Sequence, residues 1–316
     1  MATRALDYPV SVPAARAIRD DTLASLLIAP AIVYIVALLA VPVGLAIYYS
    51  FNDVTTGGTV PVFVGLQNFI ALAHDDNFQT ALANTFVLTC STLVITLVLS
   101  TIEAEILMRV RRGKWLIRFL VLLPWTAPVS LSVIGWLWML DSTFSPIDWA
   151  LREAGLLGHP GALLGSLPNL YWLGRPVLAM ASIILVSVWR ILPLATMIIL
   201  AGLNSIPRDI HEQSLVDGAR YFRRLFQVTL PTLFPILMVA ILFTFVFTFT
   251  DMVVVYILTR GGPANSTQVV TTLAFFTGVE SGSLGQGAAM ALFLFPVLAG
   301  VSGIVLGLAR RRQVAR

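Results

Sequence analysis

The sequence predicts an all-α, polytopic membrane protein with six transmembrane helices and both termini in the cytoplasm. Three observations lead there. Hydrophobic residues make up 58% of the 316 positions and charged residues 11%, where soluble domains carry about a quarter charged. The mean hydropathy is +0.88. The charges are gathered into short patches that leave six apolar stretches between them, and Lys and Arg fall mainly in alternate loops. Such a chain cannot cover a water-facing surface, which excludes soluble globular and disordered classes alike.

About 20 apolar residues at 1.5 Å rise cross a hydrocarbon core of about 30 Å. Six stretches meet this length: residues 23–49, 79–107, 116–140, 176–203, 230–258 and 284–308. The first is too long for a signal-peptide core and shows no clear small-residue cleavage site, so it reads as a retained anchor. The fourth contains a single charge, Arg190, and the fifth contains Asp251. This divides the chain into a tail at 1–22, a six-span domain at 23–309 and a basic tail at 310–316. No internal repeat or low-complexity tract interrupts it.

Orientation follows from the basic residues, which mark cytoplasmic loops. One side holds Arg4, Arg16 and Arg19, then Arg109, Arg111, Arg112, Lys114 and Arg118, then Arg208, Arg220, Arg223 and Arg224, and finally Arg310, Arg311, Arg312 and Arg316. The other side holds Arg152, Arg175 and Arg260. The basic pI, near 9.6, is therefore topological and not a nucleic-acid footprint. The longest outer loop, 141–175, has apolar residues at Ile147, Ala150, Leu151 and Ala154, which predicts a short surface helix over 147–157.

Much chemistry is excluded. Cys90 is alone, and His74, His159 and His211 lie far apart in sequence, so disulfide, zinc and iron–sulfur sites are not expected. The single Gly113-Lys114 pair has Met108 where a phosphate loop needs glycine and Trp115 where it needs Ser or Thr. No protease, lipase or Mg²⁺-carboxylate signature occurs. A proton relay needs several intramembrane ionisable groups, and only Arg190 and Asp251 lie deep in spans. Glu105 and Arg109 read as a solvated i,i+4 pair at a helix end.

The loop between the fourth and fifth spans is the informative one. Ser205 followed by Pro207 starts a helix, and Gly218 after Asp217 permits a left-handed residue that ends it. A second piece then presents Tyr221, Phe222, Leu225 and Phe226 before Pro231 opens the next span. A helix–bend–helix at the cytoplasmic surface, with aromatics and no lipid-length run, reads as a docking surface for another protein. The alternative is an amphipathic linker resting on headgroups through its four arginines.

The spacing Glu212, Asp217-Gly218-Ala219, then Val228-Thr229-Leu230-Pro231 resembles the EAA motif of permease subunits of bacterial ATP-binding-cassette importers. Gln213-Ser214 stand for the two alanines, and Leu225 for the usual phenylalanine. Leu200-Ala-Gly-Leu-Asn-Ser-Ile-Pro207, Leu258-Thr-Arg-Gly-Gly-Pro263 following Phe249-Thr-Asp251, Leu123-Pro124-Trp125, Trp189 with Pro193, and Asn84-Thr85 are similar to the carbohydrate and sn-glycerol-3-phosphate uptake type, to which the larger permeases of maltose systems belong. Ser145-Pro-Ile-Asp148 departs from the G-x-x-N of that type. The resemblance covers about 25–310.

It implies a coupling helix in the loop 205–230, with Glu212, Ser214, Asp217, Gly218, Ala219 and Phe222 engaging an ATPase. It also implies a second homologous permease, two ATP-binding-cassette subunits that bind ATP and Mg, and an extracytoplasmic solute-binding protein. The chain itself would hold no cofactor, metal or catalytic residue and would import a sugar, of the di- or oligosaccharide class, by alternating access. The alternatives are the same machine for glycerol-3-phosphate or a glycerophosphodiester and, from another class, an ion-coupled secondary carrier.

The intramembrane polar residues carry two readings each. Arg190 costs about 2.5–3.5 kcal/mol at a helix centre unless paired or in a wet cavity. It either lines the path or is a structural tie. Counted along ideal helices, its backbone differs in depth from that of Asp251 by about 8 Å, so a snorkelling contact is possible but not forced. Trp125 and Trp189 lie on stretches where the family places substrate-lining residues and could stack on sugar rings; Trp also simply packs. Trp136, Trp138 and Trp149 read as packing or interface residues. Thr248 joins Asp251 as a candidate because i and i+3 share a helix face. Gly261-Gly262-Pro263 reads as a turn.

Overall fold

The computed structural model describes residues 20–58 and 60–314. The N-terminal tail with Arg4, Arg16 and Arg19, and Arg316 at the other end, lie outside the described residues. The chain divides into two units, one ending at Tyr48 and the other beginning at Tyr49.

The first unit is the body of α1 (Asp20–Ser50), apolar on all sides with Pro30 and Pro42 inside it. A helix without a polar face suits a lipid environment. In the second unit a two-stranded hairpin, β1 (Asn52–Asp53) and β2 (Val62–Phe63), precedes the short α2 (Gln67–Ala73). Asn68 fastens this corner by donating to the carbonyls of Ser50 and Asn52, both at 3.0 Å.

Then come α3 (Asp76–Arg109), α4 (Lys114–Thr126), α5 (Val129–Met139), α6 (Pro146–Glu153) and α7 (Pro176–Ser205). The loop helices α8 (Arg208–Val216) and α9 (Tyr221–Arg224) follow. A π-helical turn, Leu225–Thr229, leads into α10 (Leu230–Phe249). After α11 (Val253–Leu258), α12 (Val270–Phe275) runs through a second π turn, Phe276–Glu280, to α13 (Leu284–Val314).

Among the described residues, five helical segments are long and apolar enough to span: Ala24–Ser50, Asp76–Arg109, Pro176–Ser205, Tyr221–Phe249 and Leu284–Arg310. The third expected span differs. It is broken into α4 and α5, which meet at 90°. Pro128 explains the break: it forces the preceding Ala127 out of the helical region, to ψ 144°. The expected fifth span, 230–258, also differs. It starts earlier, at Tyr221, and stops at Phe249, leaving Asp251 between α10 and α11. Asp251 Oδ1 accepts from Val253 N at 2.9 Å, an Asx turn that competes with the helix. The helix expected in the loop 141–175 is α6 and ends at Glu153, short of the expected 157. The segment 270–280 is apolar but too short to span.

Helix α3 organises the second unit, contributing to all three cores. Phe78 and Ala81 pack with Phe245, Phe249, Met290 and Leu294. Leu88 packs with Val133, Ile183, Val186 and Val254. Leu107 packs with Ile199, Leu203, Leu233 and Ala240. Its buried face carries Thr85, Thr89, Thr92, Thr96 and Ser100, and α7 runs alongside. Small side chains let two membrane helices approach closely. Asn84 donates to the carbonyls of Ser266 and Gln268, both 3.0 Å, and Thr85 accepts from Val270 N at 3.0 Å. The Asn-Thr pair thus anchors the loop after α11. Gly261-Gly262-Pro263 is the expected turn, closed by Thr267 N to Gly261 O at 3.1 Å.

Candidate functional site: a docking loop and an intramembrane ion pair

Two places carry unusual chemistry. The first is the loop after α7. Helix α8 ends as its sequence dictates: Gly218 takes φ +69°, Gly218 N bonds Leu215 O and Ala219 N bonds Ser214 O, each at 3.0 Å. This is a Schellman ending. Of the residues expected here, Glu212, Asp217, Gly218 and Phe222 are exposed, Ala219 is half-buried and Ser214 is buried. Gln213 is exposed. Leu215 and Val216, not singled out from sequence, are 58% and 88% exposed; two adjacent apolar residues in a predicted docking helix were the available signal.

Behind this surface, a cavity of roughly 230 Å³ is lined by residues including Glu105, Arg109, Tyr221 and Arg224. Glu105 and Arg109 form the expected i,i+4 pair, 3.8 Å apart. Glu105 also accepts from the Tyr221 hydroxyl, a contact with no sequence signature across 116 positions.

The second place lies within the helices. Arg190 of α7 makes an ion pair with Asp251 through Nη2 and Oδ2, with side chains 12% and 7% exposed. The helix break brings this about, because Asp251 is freed from α10 and its main-chain carbonyl is held by Thr271 Oγ1 at 2.9 Å. The shared-face argument for Thr248 does not hold, since α10 has ended before Asp251. Thr248 is nevertheless buried, and among the described residues neither its hydroxyl nor Arg190 Nε has a hydrogen-bond partner.

Trp189 sits edge-on to Trp136, centroids 5.5 Å apart, and Trp125 sits edge-on to Phe247 at 5.3 Å. Trp138 and Trp149 are exposed, at 75% and 59%. Phe247 and Thr271 were missed from sequence; only the α4–α10 packing and the loop trajectory reveal them. Among the described residues no group of three or more His, Cys, Asp or Glu could hold a metal.

Comparison with known proteins decides the family. Residues 96–314 match the binding-protein-dependent transport system inner membrane component. The chain belongs to this family. The permease is 30% identical over 296 residues to the trehalose/maltose transport system permease protein of Thermococcus litoralis, covering 93% of this chain and 96% of that one. It is also 30% identical to the sulfoquinovosyl glycerol transport system permease protein of Agrobacterium fabrum, covering 93% and 92%. Its fold matches a chain of a bacterial alginate ABC transporter in complex with an alginate pentasaccharide-bound periplasmic protein, with TM-score 0.75 at 18% identity, covering 93% and 96%. It is a multi-pass inner-membrane transport component, not a catalytic enzyme.

Proposed function

We propose that this permease imports a sugar, of the di- or oligosaccharide class, as one half of a membrane channel completed by a second homologous permease. A solute-binding protein delivers the cargo outside, and two ATP-binding-cassette subunits, carrying ATP and Mg, dock on the cytoplasmic loop 205–230. Both termini face the cytoplasm in this reading, as the distribution of Lys and Arg requires. ATPase closure would push on α8 and rock the spans about a midplane site.

The observation that carries the reading is the exposed loop: a short helix ended by a left-handed glycine, presenting Glu212, Asp217 and Phe222 beside bare Leu215 and Val216. Exposed apolar groups outside a lipid-length run favour a protein partner. For the cargo, the sugar-transport relatives support a carbohydrate. The pairing of Arg190 with Asp251 supports a solute without net charge over a phosphate ester, which would need a free guanidinium. Trp125, Trp189 and Thr248, with Arg190 and Asp251, remain the residues proposed to line the path.

The test is uptake by the permease co-expressed with its partner subunits. Gly218→Val should preserve complex yield, since nothing lies within 4 Å of the added Cβ, yet strain a backbone at φ +69°. Uptake and solute-stimulated ATPase should both fall. Wild-type stimulation in that variant would remove the loop from coupling. Among solutes, uptake of neutral disaccharide with no response to glycerol-3-phosphate is expected; the reverse would favour the phosphate-ester reading.

A further inference from the structure

Glu105, Arg109 and Tyr221 close a triangle in which each side chain touches the other two. The Tyr221 hydroxyl donates to Glu105 Oε2. The same oxygen lies 3.8 Å from Arg109 Nη2, and the Arg109 guanidinium stands 5.4 Å from the centre of the Tyr221 ring. A solvated helix-end pair needs no third member. This one fastens the last turn of α3 to the first residue of α9, three positions beyond the bend at Gly218.

The placement has a mechanical consequence. Tyr221 begins the helical run that continues through the π turn into α10, which ends beside Asp251. Glu103, two residues before Glu105, accepts from Thr196 Oγ1 of α7 at 2.8 Å, and α7 carries Arg190. The loop is joined along the chain both to α7, which carries Arg190, and to α10, which ends beside Asp251; the triangle adds a connection to α3, which the Glu103–Thr196 contact ties back to α7. Both members of the buried ion pair are thus connected to one loop.

We infer that Tyr221, Glu105 and Arg109 are positioning residues for transport: they make the docking loop and α3 move as one body, so that motion at α8 is delivered to α3 as well as to α7 and α10, its neighbours in the chain. This rests on the importer reading above. Contiguity alone does not establish such a route, so the test must measure coupling.

The assembled transporter, reconstituted with its partner subunits, is assayed for solute moved per ATP hydrolysed. Tyr221→Phe removes only the hydroxyl and keeps the ring beneath Arg109; it should lower that ratio roughly three- to tenfold, the scale of one ordinary hydrogen bond lost at an exposed site. Glu105→Ala should do the same, whereas Glu105→Gln retains an acceptor and should keep most of the ratio. The Tyr221→Phe/Glu105→Ala double variant should be no worse than either single, the signature of a shared contact.

A wild-type ratio in Tyr221→Phe, or losses that multiply in the double variant, would overturn the inference. So would a fall in complex yield that tracks the fall in uptake, which would make the triangle a folding contact. If the wild-type assembly neither transports nor shows solute-stimulated ATPase, the importer reading fails and this inference with it. If wild type and Gly218→Val behave as expected and Tyr221→Phe is normal, only the triangle is rejected.

Discussion

Arg190 and Asp251 show how a charge survives inside apolar helices. Each would be costly alone, and each satisfies the other with little exposure. Removing one member of such a pair strands a buried charge at about 3–5 kcal/mol, while removing both can be close to neutral. Arg190→Met or Asp251→Asn alone should therefore depress the yield of folded protein more than the double variant does. Additive losses would mean that the two act separately. A second residue-scale expectation concerns His159, exposed in the loop 141–175. Its ring nitrogens face the carbonyls of Gly155 at 2.8 Å and Pro160 at 3.1 Å, and these raise its pKa above the ordinary 6.5, Gly155 foremost. A raised folded pKa means that the contribution is fully present below about 6.5. It is lost as pH rises through the raised value. Protection of the amides around 155–162 in hydrogen exchange should fall over that window, and His159→Gln should abolish the pH dependence.

At the scale of elements, breaks matter as much as helices. Pro128 splits one apolar stretch into α4 and α5, and the Asx turn at Asp251 separates α10 from α11. Hydropathy averages over both, so each reads as a continuous span. Close approach is the other device. A Cβ on Gly287 of α13 would lie 2.5 Å from Gly278 Cα and 2.9 Å from Ala274 O. The obstacle is backbone, with no side chain able to turn away. Gly287→Val should cost at least about 1–3 kcal/mol, the usual range for overpacking, and lower the melting temperature of the purified permease. Gly303→Val on the same helix meets nothing within 4 Å and should be close to neutral. Equal melting temperatures for the two would contradict the packing of α13 on the second π turn.

For the whole molecule, the expected orientation places 141–175 outside and the loop at 110–113 inside. With Cys90 replaced by alanine, Ser166→Cys should react with a membrane-impermeant maleimide in intact spheroplasts. Arg112→Cys should react only after the membrane is opened. Both positions are exposed, so a reversed pattern would invert the topology and remove the loop 205–230 from the cytoplasm. The loop 141–175 itself is well tied for its length. Asp148 is fully buried and accepts from Leu170 N and Trp172 Nε1. Arg152 donates to Asn169 Oδ1 at 2.7 Å.

Helical class, membrane residence and the left-handed ending of α8 were legible from residue order alone, because span length, charge patches and helix ends are local properties. Gly218 after Asp217 announces its own left-handed ending, and a run of lipid length needs no partner to be recognised. The meeting of Arg190 with Asp251, the tie from Tyr221 to Glu105 and the exposure of Leu215 and Val216 depended on tertiary structure. Each requires knowing which helices run side by side and where a helix stops. The ion pair shows the difference most clearly. Counting along ideal helices left the two backbones about 8 Å apart in depth, and the contact forms because Asp251 leaves its helix at a turn that its own side chain helps to make.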